Sequence, residues 1–181
     1  MELITVSMTE ETSIEARLDR LESEEAAINR LMDYYAFGCD RKDRARFLAA
    51  FHADAEYAIP GTFGTARGSA EIAATLESTW EASPETHHWI TNVTVDFTGS
   101  DTAGGNAHVI TFVRTSAGGE GFVYAHYDNA YERRDGVWKG TSIVLDVGTI
   151  SPTVFLGEMA PLRFASDRAR AALGRCVESR G

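Results

Sequence analysis

The apolar residues of this chain change their spacing about halfway along it. In residues 14–35 they recur every three or four positions, as on one face of an α-helix. From residue 87 onward they fall into four strand-like segments, which are joined by connections rich in glycine, serine and aspartate. Short connections of this kind are typical of antiparallel neighbours. This order of elements predicts an α+β domain, in which a curved antiparallel sheet wraps around N-terminal helices.

The segments between these two regions complete the predicted domain. The stretch "RARFLAAF" is typical of a short helix, and "AEYAIP" of a short strand that ends at Pro60. A further helix, "AEIAATLESTWEA", carries Ile72, Leu76 and Trp80 on one apolar face and so belongs to the core.

We therefore expect three parts along the chain. Residues 1–12 are predicted to be a flexible N-terminal tail, and residues 13–150 the α+β domain. Residues 151–181 are predicted to form a C-terminal tail, which serves either as a lid over a pocket or as an arm on a neighbouring subunit.

Composition and charge narrow the classes of function. The chain has 17 basic and 27 acidic residues and a net charge of −10, which argues against binding to nucleic acid or to an anionic membrane surface. No apolar run approaches the length of a membrane span, and the N-terminus lacks the basic and apolar regions of a signal peptide. Cys39 and Cys176 fit no metal-ligand spacing. These features favour a reduced cytoplasmic protein that acts on a small molecule.

Two adjacent histidines begin the first of the four later strands. His87 and His88 must point to opposite faces of a strand, because successive side chains alternate. One of them therefore faces the interior of the domain and the other faces away. The residues alone leave open which one is which.

Four stretches of sequence match a known pattern. A helix ends in "YYAFGCDRKD", a strand reads "AEYAIPG", a later strand opens with "THHWITN", and "AYERRDGVWK" joins the last two strands. In these stretches, and over roughly residues 15–150, the chain resembles the SnoaL-like branch of the nuclear transport factor 2-like superfamily. Within that branch it is similar to scytalone dehydratase, the bile-acid 7α-dehydratases and the hexachlorocyclohexane dehydrochlorinases. The resemblance implies a cone-shaped α+β barrel around an apolar pocket.

The resemblance also implies roles for individual residues. Asp40 and His88 match the catalytic dyad of the family, so His88 is the histidine expected to face the pocket. Tyr35 matches a substrate-contacting tyrosine of the bile-acid enzymes and is expected to take part in catalysis, while Tyr57 matches a pocket tyrosine of scytalone dehydratase. The predicted substrate-binding set is completed by residues of two later strands, namely Ile110, Phe112, Tyr124 and His126.

These residue types suit one kind of chemistry. A neutral imidazole is a competent base near neutral pH, and a carboxylate on its other ring nitrogen fixes the tautomer and stabilises the imidazolium that forms. Tyrosine hydroxyls can hold a substrate oxygen as charge develops on it. We expect base-initiated elimination of water, or a retro-aldol C–C cleavage, on a small hydroxylated aromatic or polycyclic molecule. This chemistry needs no metal and no organic cofactor.

Several alternatives stay open at this stage. The same fold hosts isomerases, polyketide cyclases and epoxide hydrolases, as well as non-catalytic β subunits of aromatic-ring dioxygenases. The dehydrochlorinases of the family carry a lysine where this chain has Tyr35, and an arginine on the last strand where this chain has the apolar run "SIVLDV". The resemblance further implies a homotrimer whose subunits meet through the sheet.

Overall fold

The structure is a computed structural model that describes residues 8–62 and 64–151, without the side chains of residues 8–12. The helices are α1 (Met8–Asp40), α2 (Arg44–Ala49) and α3 (Gly68–Ala82). The strands are β1 (Phe51–Ile59), β2 (Gly64–Arg67), β3 (Glu85–Phe97), β4 (Thr102–Arg114), β5 (Glu120–Arg134) and β6 (Val137–Ile150). The helices thus precede a continuous run of long strands, and the predicted α+β class is confirmed.

The six strands of the described chain form a single sheet with the order β2-β1-β6-β5-β4-β3. β3 to β6 form an antiparallel meander, and β1 pairs with β2 in antiparallel fashion. β1 runs parallel to β6, so the predicted antiparallel sheet contains one parallel pairing. β2 and β3 lie at opposite edges, and the sheet is curved without closing into a complete barrel.

Irregularities in register bend the sheet around its contents. The pairing shifts between Thr91 and Thr94 on β3, and twice along β5 where it meets β6. Such bulges increase local twist and curvature. The inner face of the curved sheet therefore wraps around α1 and α3.

The core lies between this inner face and the helices. It contains the apolar residues of the C-terminal half of α1, such as Ile28 and Leu31, together with Ile72 and Leu76 of α3. Trp80 packs against the same cluster, so the core stripe predicted for α3 is confirmed. In the N-terminal half of α1, Ile14, Leu18 and Leu21 remain exposed.

Two elements differ from the prediction, and one predicted segment lies outside the described residues. α1 begins at Met8, ahead of the predicted boundary at residue 13. β2 was not predicted, because its four residues GTAR carry no apolar alternation and form a strand only through pairing with β1. Residues 152–181, and with them the role of the C-terminal tail, lie outside the described residues.

Within the described part of the chain, no helix is long and apolar enough to cross a membrane.

Candidate active site

Asp40 is the last residue of α1, and close packing fixes the end of this helix. Gly38 lies so near the backbone of Phe47 in α2 that a Cβ atom at this position would sit 2.5 Å from the Phe47 nitrogen. The indole N–H of Trp80 donates a hydrogen bond of 2.8 Å to the carbonyl oxygen of Cys39. The carboxylate of Asp40 is therefore held between the helices and the sheet.

β3 brings two side chains to this carboxylate. Thr86 and His88 are two residues apart, so they share the inner face of the strand. The side chain of His87 points outward, is 55% exposed and lies 3.2 Å from Glu85. The structure thus places His88 inside and His87 outside, as the resemblance implied.

Asp40 accepts three hydrogen bonds from β3. Its Oδ1 atom lies 2.6 Å from Nδ1 of His88 and 2.9 Å from the hydroxyl of Thr86. Its Oδ2 atom accepts a bond of 2.9 Å from the backbone N–H of His88. The side chains of Asp40 and His88 are 15% and 8% exposed, respectively. The pair is therefore largely shielded from water.

These contacts keep Asp40 ionised. Burial by itself would raise the pKa of this carboxyl, but the bonds from His88 and Thr86 outweigh burial and lower the pKa below its ordinary value. Because an ionised carboxylate can only accept, Nδ1 of His88 carries the proton. In the neutral imidazole, Nε2 then presents a lone pair, and it has no hydrogen-bond partner in the described chain.

Two tyrosines lie beside this imidazole. The ring of Tyr35 meets the ring of His88 edge-on, with a centroid distance of 5.9 Å. The hydroxyl oxygens of Tyr35 and Tyr57 lie 2.7 Å apart, and both rings are buried. Burial raises the pKa of Tyr35 and of Tyr57 well above the ordinary value, so both hydroxyls keep their protons. One hydrogen bond between two hydroxyls leaves one O–H free to donate to a ligand.

These groups open onto one cavity of about 150 Å³. An engineered protein cavity of about this volume holds benzene, so the space accommodates at least one ring. Apolar side chains such as Leu76, Val113 and Leu145 form much of the wall. The polar part of the wall consists of Tyr35, Cys39, Tyr57, Thr62, Thr79, Ser83, Thr86, His88, Thr111 and Thr115. No arginine or lysine is found among the described residues that line the cavity.

One group of potential metal ligands occurs in the described residues. Ligand atoms of Cys39, Asp40 and His88 all lie within 4.8 Å of one another. Burial, followed by the charge of Asp40, raises the pKa of the Cys39 thiol to about 12, whereas a metal needs the thiolate. Asp40 and His88 are also engaged with each other. This arrangement suits a hydrogen-bonded acid–base pair better than a metal centre.

Four of the predicted site residues lie elsewhere. Ile110, Phe112, Tyr124 and His126 occupy alternate positions of β4 and β5 on the outer face of the sheet. Tyr124 is 46% exposed, and none of the four lines the cavity. The prediction that they line the pocket is therefore wrong. The inward-facing residues of β4 and β5 are one position away in the sequence, and a shift of one position moves every side chain of a strand to the other face.

The inner face of β4 and β5 is formed by the residues at the positions between these four. Thr111 and Val123 line the cavity, and Tyr127 stacks edge-on against Tyr35 with a centroid distance of 5.4 Å. Thr86, which bonds Asp40, was also missed. The register between β3 and β4 could have identified Thr111, because this residue lies directly opposite His88. That register is set by tertiary pairing, and a single sequence carries little signal for it.

Comparison with known proteins agrees with this architecture. The sequence model of the SnoaL-like domain matches residues 19–143. Hexachlorocyclohexane dehydrochlorinase 1 of Sphingobium indicum is 34% identical over 125 residues, which cover 67% of this chain and 79% of the relative.

Solved structures share the fold over most of their length. The crystal structure of a type 3 hexachlorocyclohexane dehydrochlorinase from Novosphingobium barchaimii has a TM-score of 0.70 at 28% identity, covering 75% of this chain and 93% of the other. A protein from Novosphingobium aromaticivorans, whose name assigns it to the scytalone dehydratases, has a TM-score of 0.67 at 26% identity, covering 73% and 89%. The chain therefore belongs to the SnoaL-like domain family of the nuclear transport factor 2-like superfamily.

Proposed function

We propose that this chain is a cofactor-independent lyase, which uses His88 as a base to start an elimination from a small uncharged ring compound. The observation that carries the proposal is the 2.6 Å contact between Nδ1 of His88 and Asp40, which leaves Nε2 of His88 as a free acceptor at the cavity. The dehydrochlorinases among the relatives support an elimination, because loss of HCl is a reaction of this kind.

The positions of the groups support the following sequence of steps. Nε2 of His88 removes a proton from a carbon atom of the substrate, and Asp40 stabilises the imidazolium that forms. The electrons of the C–H bond form a C=C bond while the neighbouring C–O bond breaks. The imidazolium passes its proton to the departing oxygen. Water leaves, and His88 is neutral again.

The tyrosine pair supports this sequence by holding an oxygen. Tyr35 and Tyr57 stay protonated because burial raises the pKa of each, so they act as hydrogen-bond donors. In a cavity with a largely apolar wall, such donors stabilise charge that develops on a substrate oxygen. The same pair would also serve a retro-aldol cleavage, in which a carbonyl oxygen takes up the charge.

The wall of the cavity indicates the class of substrate. The ionised Asp40 beside a neutral His88 carries a negative charge, and the described lining contains no cation that could bind a carboxylate or a phosphate. Apart from Cys39 and His88, its polar groups are hydroxyls, which pair with alcohols, phenols and carbonyls. We therefore favour an uncharged hydroxylated ring compound and oxygen as the leaving atom.

A second candidate is elimination of chloride. Hexachlorocyclohexane dehydrochlorinases are among the relatives, and their identity of up to 34% favours this reaction. A departing chloride ion is best stabilised by a positive charge, however, and the described lining offers hydroxyls instead. For this reason we rank loss of water first.

Two probes separate these candidates. The hydroxylated probe is scytalone, and the chlorinated probe is γ-hexachlorocyclohexane, each named for a relative. Purified protein is incubated with each probe, and loss of water or chloride is followed by mass spectrometry and chloride release. We expect turnover of the hydroxylated probe that disappears in His88→Ala. Turnover of the chlorinated probe alone would support the second candidate. Turnover that survives His88→Ala would contradict the proposal.

A further inference from the structure

Thr111 is the residue that faces His88 across the two strands. The register of β3 and β4 pairs these residues directly, so their side chains lie on the same inner face. Directly opposed residues of antiparallel strands have Cβ atoms about 4.5–5.5 Å apart. A ligand atom that reaches Nε2 of His88 from the cavity therefore also comes within reach of the Thr111 side chain.

The hydroxyl of Thr111 differs from those of three other threonines in the same wall. Thr79 donates to the carbonyl of Thr75 at 2.9 Å, and Thr86 donates to Asp40. Thr115 likewise donates to the carbonyl of Gly119. Thr111 lines the cavity, and its hydroxyl has no hydrogen-bond partner among residues 8–62 and 64–151. This hydroxyl is not among the fully buried side-chain atoms that lack a partner in the described chain, so it is accessible from the cavity. A hydroxyl that faces a cavity without a protein partner is available to donate to a ligand or to accept from it.

The side chains next to Thr111 on the inner face of the sheet are apolar. Val109 and Val113 flank it on the same face of β4, and Val123 lies directly opposite on β5. Valine has nearly the same shape as threonine and would complete an apolar wall without an unpaired group. The single hydroxyl in this apolar patch therefore points to a partner that arrives from the cavity.

We propose that the hydroxyl of Thr111 binds an oxygen substituent of the substrate and holds it beside Nε2 of His88. This inference rests on the proposed function and makes it more specific. It predicts that the substrate of the elimination is a neutral ring that bears a hydroxyl or carbonyl oxygen. A hydroxyl both donates and accepts, so it can bind either group. With the Tyr35–Tyr57 pair, Thr111 gives the cavity a second point of attachment, which would fix the orientation of the ring.

Binding of two matched ligands tests this proposal without any turnover. Phenol and toluene have nearly the same shape and differ in one hydroxyl, and dissociation constants of both are measured by NMR titration. Thr111→Val removes the hydroxyl and keeps the shape, whereas Thr111→Ser keeps the hydroxyl. Thr91→Val makes the same change at an exposed position of β3 and serves as the control.

In Thr111→Val we expect phenol to bind about three- to tenfold more weakly, while the affinity for toluene is unchanged or higher. Thr111→Ser and Thr91→Val should keep the wild-type ratio of the two affinities. In the wild-type protein, phenol protons should also show nuclear Overhauser contacts to the Thr111 methyl group, a readout that needs no variant. An unchanged ratio in Thr111→Val, absence of these contacts, or failure of both ligands to bind would overturn the inference.

This test also separates the inference from the proposed function. If the ratio is unchanged while turnover still depends on His88, the role of Thr111 is wrong and the lyase proposal stands. If the ratio changes as expected while neither probe is turned over, Thr111 binds oxygen in a cavity whose reaction is a different one.

Discussion

The hydroxyl oxygens of Tyr35 and Tyr57 lie 2.7 Å apart inside the domain, although 22 positions separate the two residues in the sequence. Tyr35 comes from α1 and Tyr57 from β1, so this bond joins the helix that carries Asp40 to the far side of the sheet. The pair therefore links the stability of the fold to the shape of the cavity.

The hydrogen bond between Tyr35 and Tyr57 should make the effects of removing the two hydroxyls non-additive. Tyr35→Phe or Tyr57→Phe leaves a buried hydroxyl without its partner, and we expect the free energy of unfolding to fall by about 1–3 kcal/mol. The double variant should be less destabilised than the sum of the singles, as measured by urea unfolding. Thr91→Val, which removes a hydroxyl from an exposed position of β3, is the control and should change stability by less than about 0.5 kcal/mol. Strictly additive losses would show that the two hydroxyls do not interact.

The packing of Gly38 against α2 should tolerate no side chain. A Cβ atom at this position would lie 2.5–2.7 Å from the backbone nitrogen, Cα and Cβ atoms of Phe47. Gly38→Ala should therefore lower the free energy of unfolding by about 1–3 kcal/mol, even though alanine is the better helix former. Turnover should fall as well, because Asp40 lies two residues away. In the control Gly104→Ala, the added atom meets its nearest neighbour at 3.9 Å, so stability should hold. A Gly38→Ala protein as stable as the wild type would contradict the close contact.

The Asp40 carboxylate should contribute stability that depends on pH. Its pKa in the folded protein is lowered, so the folded state binds fewer protons than the unfolded chain over the window between the two values. This contribution is present above the ordinary value of about 3.9 and is lost as pH falls through the lowered pKa. The stability difference between wild type and Asp40→Asn should therefore shrink below about pH 4, as measured by urea unfolding from pH 7 downward. For Thr91→Val, which removes no titratable group, the difference from wild type should not depend on pH. If the stability difference between wild type and Asp40→Asn grew as pH falls, the pKa of Asp40 would be raised in the folded protein, and the prediction would be wrong.

The outer face of the sheet carries an exposed apolar patch that we expect to bind other copies of the chain. The patch consists of Trp89, Ile110, Phe112, Phe122 and Tyr124, which neighbour one another across β3, β4 and β5. Soluble monomers rarely expose contiguous apolar surface of this kind. We propose that the patch is buried in a homotrimer, the assembly that the family resemblance implies.

Sedimentation at micromolar concentration tests this assembly. The wild-type chain should sediment as a trimer, and Phe122→Asp combined with Tyr124→Asp should shift it to smaller species. Val137→Asp places the same charge on an exposed apolar residue outside the patch and should leave the trimer intact. A wild-type monomer, or a trimer that the double substitution leaves unchanged, would rule out this interface.

Features with a strong local pattern were predictable from the sequence. The helix spacing in α1 and α3 and the turn-rich meander were sufficient for the fold class. The likeness to the SnoaL-like family identified His88, rather than His87, as the inward histidine. Local pattern and family likeness together were therefore sufficient to predict that Asp40, His88, Tyr35 and Tyr57 lie close together, and the structure places them so.

The wrong prediction of the cavity residues on β4 and β5 arose because both strands carry apolar residues on both faces. In β4, Val109 and Val113 face inward while Ile110 and Phe112 face outward, so hydrophobicity does not alternate and the register is invisible in the sequence. The same holds for β5, where Tyr124 and Tyr127 face opposite sides. Only the pairing with β3 determines which set meets His88, and that pairing is a tertiary contact.

A double-mutant cycle on His88 and Asp40 tests the central claim most directly. Rates on the probe that the wild-type chain turns over are measured for His88→Ala, Asp40→Asn, the double variant and the control His87→Ala, after circular dichroism has confirmed that each variant is folded. We expect His88→Ala to lose about a hundred- to ten-thousandfold in rate and Asp40→Asn to be severely impaired. The double variant should be little worse than His88→Ala, because residues that act as a unit are not additive. His87→Ala should keep nearly full activity. A fully active Asp40→Asn, or a His87→Ala as damaged as His88→Ala, would contradict the dyad.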